Sequence, residues 1–393
     1  MSSVRKKTNR IGAFILACAI FCIFLFQGVL QAFAMPTQQG QITQQPTEEG
    51  ITYGETAVFS VGIQGEATLQ WQKKSPGGSF ADIPGENSQM LTLESPAVSE
   101  SGSAYRCKIQ FQGQESPVYS DEATLAVTKR AATGDLAVNA SGDGDVTLTA
   151  LLPQDAEGSI TFQKDGTAMG EPVSVQRGKA EYVVKQEELP QQQGEGVEFT
   201  AVYSGDGNTE AGTVGTYSYT AGQEFAPLPT GSVDDALTYG ESAPLSFEAS
   251  QVQMSDPSVL QVQGEAMVAQ KPGTAFIAIS SNQQGKNQSM AIFTVQVSKK
   301  SLSTSEIIVQ DKDYDGATNA QLEQQPQLNQ SQIVAGDEQK LTLLVGKPVF
   351  ADKNAGKNKN VQLSLKLGGE KAGCYELQIP ALQADIHKLP LTI

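Results

Sequence analysis

The stretch "LTLESPAVSESGSAYRCKIQF", residues 91–111, decides the fold: Tyr105, Cys107, Ile109 and Phe111 alternate with Arg106, Lys108 and Gln110. Successive side chains of a strand point to opposite faces, so this period of two puts one set on a core and the other in water. The pattern extends on both sides. Upstream stand Ala57, Phe59, Val61 and Ile63, then Leu69 and Trp71, then Leu91 and Leu93; downstream, Ala123, Leu125 and Val127 close the unit.

The rest of the 393 residues reads the same way. Thirty-eight glycines and 18 prolines, with 18% charged residues, suit many short strands joined by turns. The fold class predicted is all-β, with tandem sandwich modules in a beaded-rod arrangement.

Four module resemblances follow from particular residues. In 50–128, Trp71 in "LQWQKK", with Tyr105 two residues before Cys107, resembles the immunoglobulin pattern of a core tryptophan and a strand F tyrosine and cysteine. The segment is similar to the Ig-like repeats of bacterial surface proteins. Where such domains carry a strand B cysteine this chain offers Phe59 or Val61, so Cys107 is expected as a buried free thiol. Residues 131–224, with "GSITFQKDG", "GKAEYVV" and "AVYSGDGN", resemble the bacterial group 3 Ig-like domains; 229–298, with "SDPSVLQV" and "KPGTAFIAI", resemble group 2. In 299–386, "KDYDGATNA", "VAGDEQ", "FADKNAGKNKNV" and "GGEKAGCYEL" resemble the YDG repeat of bacterial surface proteins, its signature being Tyr314, Asp315 and Gly316. One departure is Cys374, where that family usually carries asparagine.

Residues 1–34 have the layout of a Sec signal peptide: basic Arg5 to Arg10, apolar Ile11 to Phe26, and Ala32-Phe33-Ala34 at the cleavage position. An uncleaved anchor helix is the rival reading. Residues 35–49, rich in Gln, Thr and Pro, read as a flexible tether. Residues 387–393 read as a linker or the start of a further repeat; "LPLTI" lacks the glycine and the tail of an LPxTG sorting signal.

Composition excludes several chemistries. The formal charge is −16, and a uniformly acidic surface repels phosphate backbones, so no nucleic-acid partner is expected. Cys18 and Cys22 fall in the leader, leaving Cys107 and Cys374 far apart in the remainder. His387 is the single histidine, which removes Ser-His-Asp triads, Cys-His pairs and histidine metal clusters. Asp311, Asp313 and Asp315 before Gly316 copy the first half of a calcium loop. Its twelfth position is Leu322 rather than a bidentate glutamate, so a structural turn is preferred and a calcium site is the lesser alternative.

No catalytic residue and no cofactor is expected. The resemblances imply a monomeric, exported rod at the cell surface, adhesin-like or presenting other parts at a distance. Its partner would be an extracellular ligand such as a host glycan or matrix protein. The alternative is an accessory region of a larger extracellular enzyme such as a glycan hydrolase.

Overall fold

The structure is a computed structural model that describes residues 40–248 and 251–390. The leader, its Ala32-Phe33-Ala34 ending, residues 35–39 and Leu391 to Ile393 lie outside the described residues. The chain is all-β, built from short strands in paired sheets, as the alternation predicts.

In residues 40–128 one sheet runs in the order Glu49–Thr52, Ala123–Thr128, Ala104–Phe111, Ala67–Lys74, Ala81–Asp82, with Val118–Tyr119 also paired to Ala104–Phe111. Thr56–Ser60 pairs with Met90–Glu94, and Gln41–Gln44 with Gly62–Gln64. Phe59, Trp71, Leu91, Tyr105, Cys107 and Leu125 fill the core between them. The strand Ala104–Phe111 follows the expected pattern, with Tyr105, Cys107, Ile109 and Phe111 buried and Arg106, Lys108 and Gln110 turned outward.

The tether reading of 35–49 fails from Gln41 onward. Gln41–Gln44 is a strand, and Ile42 packs on the core. Gly40 is why the strand can lie so close: a Cβ there would stand 2.2 Å from the Phe111 ring.

Residues 131–224 carry the sheet Asp135–Ala140, Val146–Leu151, Lys179–Val184 and a second of Thr167–Ala168, Ser159–Lys164, Gly196–Tyr203, Gly212–Thr220. In 229–298 the order is Ala236–Thr238, Ser289–Ser298, Gly273–Ser281, Val252–Met254, with Ser242–Pro244, Ala266–Ala269 and Leu260–Gln263 forming the other sheet. These two parts are fused rather than strung. Ala275, Ile277 and Ile279 lie in one core with Leu260 and Val295, while Phe276 and Ala278, on the other face of the same strand, lie in a core with Leu136 and Leu148. The Asn139 carboxamide seals the edge by donating to Met290 O and accepting from Met290 N, both at 2.9 Å.

In the last part, Lys312–Asp313, Leu382–His387, Gly356–Gln362 and Val349–Phe350 form one sheet; Thr342–Val345 pairs with Leu365–Gly368, and Lys300–Leu302 with Tyr375–Leu377. The linker expected from residue 387 starts one residue too early, because His387 ends a strand. Leu382–His387 buries Leu382, Ala384 and Ile386 by strict alternation against Val309, Phe350 and Val361.

The beaded rod is also corrected. A linear string brings only sequence neighbours together, yet the first part touches the third and the last. Lys271 Nζ donates to Gly54 O and, at 3.1 Å, to Ser95 Oγ. Lys366 Nζ donates to Gly85 O at 2.8 Å, and Gly369 N to Thr92 Oγ1 at 3.1 Å. The junctions hold little free chain. Arg130 N donates to Asn208 O at 3.1 Å and Glu210 N to Arg130 O at 2.9 Å, which ties the first junction into the second part. Among the described residues no helix is long and apolar enough to cross a membrane.

Candidate functional site

The signature residues of the first part are core pieces. Trp71 is fully buried and its indole nitrogen donates to Ser88 O at 2.9 Å. Tyr105 stacks on Phe59 with ring centroids 4.8 Å apart, yet its hydroxyl is buried with no hydrogen-bond partner. In immunoglobulin domains the corresponding hydroxyl bonds back to the main chain. Cys107 is a buried free thiol, its pKa pushed up to about 11 by desolvation. Neither cysteine of the described chain is bonded to the other.

The "AVYSGDGN" stretch is a turn organised by Asp206. Its carboxylate accepts from Tyr203 Oη at 2.6 Å, from Glu157 N at 2.9 Å and from the amides of Asn208 and Thr209 at 2.7 Å each. Four donors account for an acid in this exact position of the loop.

The YDG loop is likewise a capped turn, with a lysine at its centre. Lys312 Nζ pairs with Asp315 Oδ1 at 2.7 Å and donates to Ala317 O at 3.0 Å, Asn319 O at 3.1 Å and Asn319 Oδ1 at 3.2 Å. The Lys312 hydrogen bond holds the Asp315 carboxyl below its usual range, helped by the Ala317 amide. Gly316 takes a positive φ of 78° at the bend, and Tyr314 is 37% exposed beside it. The three carboxylates of the calcium reading do not converge. Asp315 is held by Lys312, Asp311 accepts from Asp385 N at 2.7 Å, and Asp313 lies on the strand paired with His387. Among the described residues no group of three metal-ligating side chains is assembled.

Two regions outside these signatures gather chemically active side chains. The first is a cleft of about 770 Å³ where the first, third and last parts meet, lined by Glu49, Glu94, Lys271, Lys299, Glu370, Lys371 and Cys374 among others. Burial, and then the charge of Glu370, raise the Glu49 carboxyl. The Cys374 thiol is also pushed up by burial, so it is a poor nucleophile here. Beneath the cleft, the buried Asp337 carboxylate receives the hydroxyls of Tyr239 and Tyr375.

The second is the outward face of the first sheet. Arg106, pointing away from the core between Tyr105 and Cys107, lies between two aromatic rings, 3.9 Å from the Phe80 centroid and 4.2 Å from that of Tyr119. Its Nε donates to Gln72 Oε1 at 2.9 Å, and Gln72 Nε2 donates in turn to Asp82 Oδ1 at 2.7 Å. Lys74 Nζ stands 4.7 Å from the Phe80 ring. A guanidinium stacked on aromatic faces and tied at one nitrogen is fixed in orientation before any ligand arrives.

Sequence reading singled out only Cys374 from the first region and passed over the second. Arg106 counted only as the polar partner of an alternation. Phe80 in "SPGGSFADIPG" and Tyr119 in "SPVYSD" are lone aromatics in turn-rich stretches, a signal that was open to reading.

The family model described as YDG domain matches residues 298–383. No curated protein matches the chain. Among solved structures, one described as "Crystal Structure of Duf (Kirre) D1" is 16% identical over 23% of this chain and 96% of that chain, with a TM-score of 0.18.

Proposed function

We propose that this chain is a non-enzymatic surface protein of a bacterial cell envelope, exported by its leader, that binds an extracellular ligand in an adhesin-like role. The single observation that supports it is the outward sheet face of the first part, where Phe80, Arg106 and Tyr119 form an oriented, solvent-facing group that the core does not require. Aromatic and arginine side chains of this kind are enriched where proteins meet partners. The YDG match over 298–383 agrees with the surface-protein resemblance of the sequence.

The test displays the full chain on non-adherent cells and measures retention on glycan arrays and on collagen- and fibronectin-coated plates. Retention above empty cells, reduced by Arg106→Gln, is the expected result. Retention on no surface, together with turnover of a polysaccharide once the downstream reading frame is included, would favour the accessory region of a larger enzyme. Export is checked separately: N-terminal sequencing of the secreted protein is expected to start at Met35.

A further inference from the structure

We propose that Arg106 is the anchor of a binding site for the carboxylate of an acidic sugar, a uronic or sialic acid, on the sheet formed by Ala67–Lys74 and Ala104–Phe111. The proposal rests on the ligand-binding role above and names the class of ligand.

The guanidinium carries five N–H donors in a planar fork. One is spent on Gln72 Oε1, and among the described residues no other acceptor and no carboxylate takes the rest. The neighbouring Lys73 meets Glu100 at 2.7 Å and Lys74 meets Glu122 at 2.6 Å, whereas Arg106, like Lys108 on the same strand, has no acid among the described residues. Asp82, the acid of the Arg106 row, is turned to Gln72 instead. Phe80 and Tyr119 both lie against the guanidinium and Nε is taken by Gln72, which leaves the two terminal nitrogens for a ligand. That pair matches the two oxygens of a carboxylate in bidentate fashion, which a lysine cannot do.

The surroundings select a saccharide over a protein side chain. Around Arg106 the outward residues of the two strands are Thr68, Gln70, Gln72, Lys74, Lys108 and Gln110, all polar, so the apolar surface is confined to the Phe80 and Tyr119 rings. A protein interface wants an apolar centre ringed by polar groups. Hydroxyl-rich rings instead suit amide acceptors beside an aromatic surface, and Tyr119 is 44% exposed.

The test is calorimetric titration of the full chain with 3′-sialyllactose, a hyaluronan tetrasaccharide and lactose. The expected result is binding of one or both acidic sugars and at least about tenfold weaker binding of lactose, with Arg106→Lys losing about tenfold through the missing fork. Tyr119→Ala, which leaves the Gln72 relay in place, is expected to weaken the same sugar. Trp71 emission and the melting temperature of each variant confirm that the sandwich is intact. Equal binding of lactose, no binding of either acid, or an unchanged Kd in Arg106→Lys overturns the proposal. A hexaglutamate peptide that binds as tightly as the sugars overturns it in favour of a protein partner. If displayed cells still adhere while no acidic sugar binds, the glycan assignment falls and the adhesive role stands; if sugars bind but displayed cells adhere nowhere, the reverse holds.

Discussion

Tyr239 and Tyr375 direct their hydroxyls to one and the same atom, Asp337 Oδ2, at 2.8 and 2.7 Å, with their rings edge to face at 5.4 Å. Tyr239 belongs to the third part and Tyr375 to the last, so this acid joins two parts through a buried contact. Asp337→Ala leaves two buried hydroxyls without an acceptor, a loss on the order of 2–4 kcal/mol. Asp337→Asn keeps an oxygen and is expected to cost less than half of that. Calorimetric melting of the two variants measures the difference, and equal melting temperatures would show that the joint is not held by Asp337.

Tyr105→Phe is expected to be neutral or to stabilise by up to about 1 kcal/mol, because the hydroxyl it removes is buried and unpartnered while the ring stacked on Phe59 remains. Urea unfolding followed by emission of Trp71, the single tryptophan, reads this directly. A loss above about 1 kcal/mol would mean that the hydroxyl has an acceptor after all.

Cys107 is expected to resist a thiol reagent at pH 8 in the native state, since it is fully buried and its thiol is pushed up to about 11. Labelling should appear only with denaturant. Fast native labelling would contradict its place between Tyr105 and Ile109.

Asp135 supplies the pH dependence. It is buried where the second and third parts meet, and desolvation raises its carboxyl to about 6 against the Leu136 amide, which lowers it. A folded-state value above the unfolded one means the native chain prefers the protonated acid. The destabilisation is therefore absent below the unfolded value near 4, grows through pH 4 to 6, and is complete above, at about 3 kcal/mol or less. Asp135→Asn should raise the melting temperature at pH 7.5 and leave it unchanged at pH 3.5. A gain of the same size at both pH values would locate the effect elsewhere.

Much of the architecture was legible because period two is a local signal. Tyr105, Cys107 and Ile109 announce one buried face without knowledge of what covers it. The doubly buried strand was harder: "TAFIAISS" is a nearly unbroken apolar run, which marks a strand covered on both sides, but the covering residues Leu136 and Leu148 lie well over 100 positions earlier. The end of the last part was harder to place, because the partner of Leu382–His387, Gly356–Gln362, alternates charge and amide rather than apolar residues. The Arg106 group escaped for another reason. Stacking of Phe80 and Tyr119 on a guanidinium depends on two turns folding over one sheet, and no spacing in the sequence encodes that.

The strand Gly273–Ser281 bears on inheritance. Modules that each own a core can be duplicated, lost or traded between genes with their neighbours left intact. Here Phe276, Ala278 and Met290 fill a core whose other buried members come from residues before 229, so a recombination joint between the two parts would strip one of its apolar cover and leave the other with an exposed apolar face. Residues 131–298 are thus the smallest unit in this stretch that can be exchanged intact, and a lineage that reshuffles such modules should carry them as a pair.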